Sequence, residues 1–60
     1  MYSGGDSVST RNGESGVVIE PLHGLSGEAF EIDDEIERVY SVLMEGGEVR
    51  HFRESVLRAS

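Results

Sequence analysis

Across residues 5–20 the apolar and polar positions follow the pattern of two short strands joined by a tight turn. Val8 and Thr10 occupy alternate positions and therefore share one face of the first strand. Asn12-Gly13 follows, a hairpin signal because both residues tolerate positive φ. Glu14 and Ser15 lengthen the turn, and Gly16 permits a close approach or a bulge. Val17-Val18-Ile19 is β-branched throughout and predicts a strand apolar on both faces, ended by Pro21. Gly5-Asp6 supplies the opening bend, and residues 1–4, small and polar, are expected to be loosely held. One hairpin of this length cannot cover its own apolar face, so the remaining residues must do so.

Residues 22–37 lose the alternation in favour of Gly24, Gly27 and the acids Glu28, Glu31, Asp33, Asp34, Glu35 and Glu37. The stretch predicts a long acidic loop, with Phe30, Ile32 and Ile36 folding partly back and a turn of helix over residues 33–37. Alternation returns over residues 38–45, with Tyr40, Val42 and Met44 on one face and Val39 and Leu43 on the other. Gly46-Gly47 predicts a second tight turn, and residues 48–53 a further strand carrying Val49, His51 and Phe52. Residues 54–59 read as one helical turn running into a short closing strand, with Val56 and Leu57 apolar. Helical spacing fits the same residues: Ile32, Ile36, Val39, Tyr40 and Leu43 in one set, Val49, Phe52, Val56 and Leu57 in another. A β-hairpin followed by an α-helical hairpin is therefore the alternative fold.

Sixty residues make a single domain, and a chain this short buries only about 60% of the surface its unfolded form exposes. No cysteine is present, so no disulfide offsets the small core, and a partner or self-association is expected to help. The lack of a long apolar run predicts a chain with neither membrane span nor secretory signal, placed in the cytoplasm. Twelve acids against five arginines give a formal charge of -7, which repels phosphate backbones.

Taken together, Gly5-Asp6-x-Val8-x-Thr10-Arg11-x-Gly13-x-x-Gly16-Val17-Val18, then Tyr40-x-Val42-x-Met44, Gly46-Gly47, Val49, Phe52 and the Glu54-Ser55-Val56-Leu57 turn resemble the SH3-like (Tudor-like) small barrels. Within that class, Tyr40-Ser41-Val42-Leu43 and the opening hairpin are similar to the RNA-polymerase-interaction domains of CarD-type regulators. Gly16-Val17-Val18 and Tyr40-Ser41-Val42-Leu43-Met44-Glu45 are similar to heat-shock Q (hemimethylated-DNA-binding) type proteins, and the first hairpin to KOW modules. The resemblance favours the barrel over the helical hairpin. It implies an all-β fold, a five-stranded SH3-like barrel over residues 1–60 with the acidic loop between strands 2 and 3. It further implies a non-enzymatic binding module, an accessory factor of the transcription apparatus.

Candidate chemistry is sparse. His23 and His51 stand in no catalytic motif, and no phosphate-cradling or dinucleotide sequence occurs, so no enzyme, cofactor or metal is expected. The apolar outer face of the third strand predicts a protein partner, or a second copy, contacted through Val39, Leu43, Arg50 and Phe52 and steered by the acidic loop. Arg11, Arg50 and Arg53 are the candidates for nucleic-acid contact in a second reading that the net charge disfavours. A third is a small structural subunit of a larger assembly such as a phage particle.

Overall fold

The computed structural model describes residues 1–20 and 26–60. The described residues are all β, with no α-helix, and form a strongly curled, barrel-like sheet. Six strands build it: β1 Ser7–Thr10, β2 Ser15–Ile19, β3 Glu28–Ile32, β4 Glu35–Met44, β5 Val49–Arg53 and β6 Leu57–Ala59, with a 3-10 turn at Glu54–Val56. The opening hairpin and the helical turn running into a closing strand fall where the residue pattern puts them. The helical alternative for residues 32–57 is not formed. Pro21, Leu22 and His23 lie outside the described residues.

β4 is the organising strand. Its C-terminal half is clasped between β2 (Val17↔Leu43, Ile19↔Ser41) and β5 (Val49↔Leu43, His51↔Ser41), both antiparallel. Its N-terminal half pairs with β3 from Glu28↔Val39 to Ile32↔Glu35. Because Val39 is paired with Glu28 and with Arg53, β3 lies on the edge of β4 opposite β5, the edge that β2 also uses. β1 joins β2 to β6 on the far side (Val8↔Gly16, Val8↔Ala59).

The inward positions carry the core: Val8, Val18, Tyr40, Val42, Met44 and Leu57 are buried, with Tyr2 and Phe52 packed against them. Tyr40, Val42 and Met44 are the alternate residues of β4, so one ten-residue strand presents half of the core. Tyr2 ties down the opening residues, which composition alone leaves loose. Its ring meets Tyr40 edge-on at 5.3 Å, and its hydroxyl donates to the Leu57 carbonyl at 3.3 Å. Tyr40 in turn accepts from the Tyr2 backbone N–H at 3.0 Å and donates to Glu54 at 2.7 Å, which satisfies a phenol that the core buries. Burial, together with the bond to Glu54, raises the Tyr40 pKa above its ordinary value, against the lowering effect of the Tyr2 amide.

The acidic stretch departs from expectation. Residues 28–32 and 35–38 are not loop but the two sides of a hairpin, and the helical turn predicted over residues 33–37 is a two-residue β-turn. Asp33 and Asp34 both take positive φ, 52° and 65°. That pair of conformations defines the mirror-image turn whose twist matches flanking strands, and aspartate is one of the few side chains that adopt it. Apart from half-buried Glu37, the acids of the hairpin stand on exposed positions, so their charge does not prevent pairing. The sheet accordingly has six strands rather than five.

Candidate functional site

Each strand of this sheet has an inner face on the core and an outer face. The register places Val17, Leu43 and Val49 directly opposite one another across β2, β4 and β5, on the outer face. They are 39%, 41% and 50% exposed, so three β-sheet hydrophobes form a continuous row open to solvent. The next row on the same face is Ile19, Ser41 and His51, and beyond it stand Val39 and Arg53. Isolated exposed hydrophobes are ordinary, whereas an aligned row bordered by half-buried Ile19 and Val39 is a patch.

The four residues expected at a contact do not share one surface. Val39 and Leu43 lie on the outer face as predicted, but Phe52 is opposite Tyr40 and Arg50 opposite Val42, on the inner side. Phe52 packs on the core, and the Arg50 guanidinium lies over its ring at 5.1 Å. The cause is the second turn. A two-residue Gly46-Gly47 turn would set Leu43 opposite Arg50, but the loop spans Glu45, Gly46 and Gly47, with Gly47 N–H donating to the Met44 carbonyl at 2.9 Å. One extra residue shifts the register by one and sends every side chain of β5 to the other face. Val17 and Val49 take the places of Arg50 and Phe52 in the outer patch. Only the triple β-branched run pointed to Val17, and nothing short of the register points to Val49.

The three arginines considered for nucleic acid do not form a patch. Arg50 pairs with Glu14 at 2.9 Å on the inner side, while Arg53, on the outer side, lies 3.6 Å from Asp33 and 3.7 Å from Glu37. Arg11 donates to the Ser55 carbonyl at 3.3 Å. Arg38 donates to the Gly27 carbonyl. These four arginines are thus each answered within the fold, two of them by carboxylates.

Glu37 is held by the 3-10 turn. Ser55, through its side chain and its backbone N–H (2.9 Å), lowers the Glu37 pKa below the ordinary carboxylate value, burial opposes this, and Arg53 adds to the lowering. The bond clamps the base of the acidic hairpin to the 3-10 turn.

One serine–histidine pair emerges that no motif announced. Ser41 Oγ and His51 Nδ1 are 3.0 Å apart on the outer face. Ser41 is fully buried, so its hydroxyl is closed off from solvent, and its backbone N–H donates to Ser26 Oγ at 3.3 Å. The pair serves to satisfy a buried polar side chain in a sheet. His23, the other histidine, lies outside the described residues.

Compared with models of known protein families, with curated proteins and with solved structures, the chain matches none. Among the described residues no helix is long and apolar enough to cross a membrane.

Proposed function

We propose that this chain is a non-enzymatic protein-interaction module whose contact surface is the outer face of the curled sheet. The observation that carries the reading is the open row Val17, Leu43 and Val49 across three paired strands. The backbone of this face is already ordered by strand pairing, so less of the gain from burying its apolar area, about 25 cal/mol per Å², is lost to ordering on docking. The internal pairing of Arg50 and Arg53 argues against the nucleic-acid reading, because binding phosphate would first require breaking those contacts.

The likeness of the residue pattern to SH3-like barrels, and of Tyr40-Ser41-Val42-Leu43 to CarD-type domains, supports an accessory role at the transcription apparatus and makes RNA polymerase the first partner to try. The test is affinity capture from the source cells with the wild-type chain and with a Val39→Ser/Leu43→Ser variant shown by its amide spectrum to be folded. A partner held by the first and lost by the second supports the module. Retention of the same partner by both would refute this face as the contact.

A further inference from the structure

The acidic hairpin carries most of the charge of the molecule. Residues 28–38 hold six acids and one arginine, leaving six acids and four arginines for all the rest, so a charge of -5 out of -7 sits on eleven residues. It is also thinly covered: every residue of β3 but Ile32 is exposed, and across from Glu31 on β4, Ile36 is 72% exposed.

β3 is an edge strand at the end of the sheet. The two-residue loop makes Ile32 and Glu35 a hydrogen-bonded pair, and the alternation of an antiparallel ladder then gives the same pairing to Phe30 with Glu37 and Glu28 with Val39. The backbone groups of Ala29 and Glu31, between them, point away from β4. Among the described residues no strand takes them up. An open edge of this kind is a template for one more strand.

The charge selects what that strand is. A second copy would bring its own six acids against these six, and β3 against β3 in antiparallel register would set Glu31 diagonally across from its counterpart. A segment bearing arginine or lysine at alternate positions would instead line its cations on one face, where Glu28 stands with Glu35 and Glu37 of β4 behind it, Glu31 adding its charge from the other face. We infer that the β3 edge takes up an extended, basic segment of another protein as an added strand, its backbone bonded to Ala29 and Glu31 and its cations facing the acids of the hairpin. The inference deepens the interaction-module reading by naming the partner's chemistry, but uses a surface separate from the Val17–Leu43–Val49 row.

The test is titration of the isotope-labelled full chain with a capped peptide of alternating arginine and valine at low salt. Beside it run the same peptide N-methylated at alternate residues, and an acidic peptide of equal length. Amide shifts confined to β3, exchange protection at Ala29 and Glu31, affinity at least ~10-fold weaker for the N-methylated peptide, and weakening of both as salt rises support strand addition. Glu28→Gln/Glu31→Gln should lower the affinity, whereas Val39→Ser/Leu43→Ser, which weakens the outer face, should not. Ala29→Pro removes a donor that β4 does not use, so a folded variant should lose the peptide. Equal binding of the N-methylated peptide would reduce the effect to charge alone and overturn the proposal. So would shifts centred on Val17, Leu43 and Val49, or a chain that dimerises by itself through β3.

Discussion

A Cβ built on Gly16 would stand 2.5 Å from Val42 Cγ1 and 2.7 Å from the Leu43 carbonyl oxygen. Gly16 is therefore glycine because β2 and β4 approach too closely there for any side chain, and its φ is ordinary. The obstacle includes backbone, which cannot rotate aside as a side chain can. Gly16→Ala is predicted to cost ~1 to 3 kcal/mol, against a total of about 3 to 9 kcal/mol for a domain of this size. Thermal or denaturant unfolding checks it, a loss of about 4 to 8 °C accompanying each kcal/mol.

The Asp33-Asp34 turn makes the opposite prediction. Both residues hold positive φ, and Asp33 has Arg53 nearby while Asp34 has no ion pair among the described residues. Asp34→Gly removes an unfavourable backbone conformation and one of several crowded negative charges. It should stabilise the fold by ~0.5 to 1 kcal/mol, read as a higher unfolding midpoint with unchanged slope.

Tyr40 joins the opening residues to the 3-10 turn through its hydroxyl. Tyr40→Phe keeps the ring and loses both bonds, for an expected cost of about 1 to 2 kcal/mol. The amide of Tyr2 should then exchange faster with solvent, which separates this effect from a general loss of core packing.

Glu37 sets the acid limit of the hairpin clamp. Its pKa is lowered in the folded chain, so it contributes stability that is present above the ordinary carboxylate value of 4.5 and is lost as pH falls through its lower folded value. Wild-type stability should therefore drop as pH falls below that point, and Glu37→Gln should be less stable at neutral pH while losing less on acidification. Denaturant midpoints measured across that range decide it.

The parts of this fold that were legible in the sequence are those fixed by local chemistry. Alternation in β4 identified Tyr40, Val42 and Met44 as core and Val39 and Leu43 as outer, and the Glu54-Ser55-Val56 turn announced the short closing strand. Loop length was not legible. Gly46-Gly47 reads as a two-residue turn, and Asn12-Gly13 as a turn lengthened by Glu14 and Ser15, yet each belongs to a three-residue loop in which only Gly13 and Gly47 take positive φ, and Ser15 is already in β2. The two-residue turn sits at Asp33-Asp34, where the charge suggested a solvated loop. Because a one-residue error in loop length reverses the faces of the following strand, it also displaced Arg50 and Phe52 from the predicted contact. The same error hid Val49.

The affinity of the captured partner for a Leu43→Ser/Val49→Ser variant, measured by calorimetry beside the wild-type chain, tests the outer face as the docking surface. Both side chains are exposed, so the fold should survive the change and the amide spectrum should confirm it. Loss of two side chains from the centre of the contact predicts an affinity weaker by at least ~10-fold. An unchanged affinity in a folded variant would contradict the claim that this row of the sheet is where the partner docks.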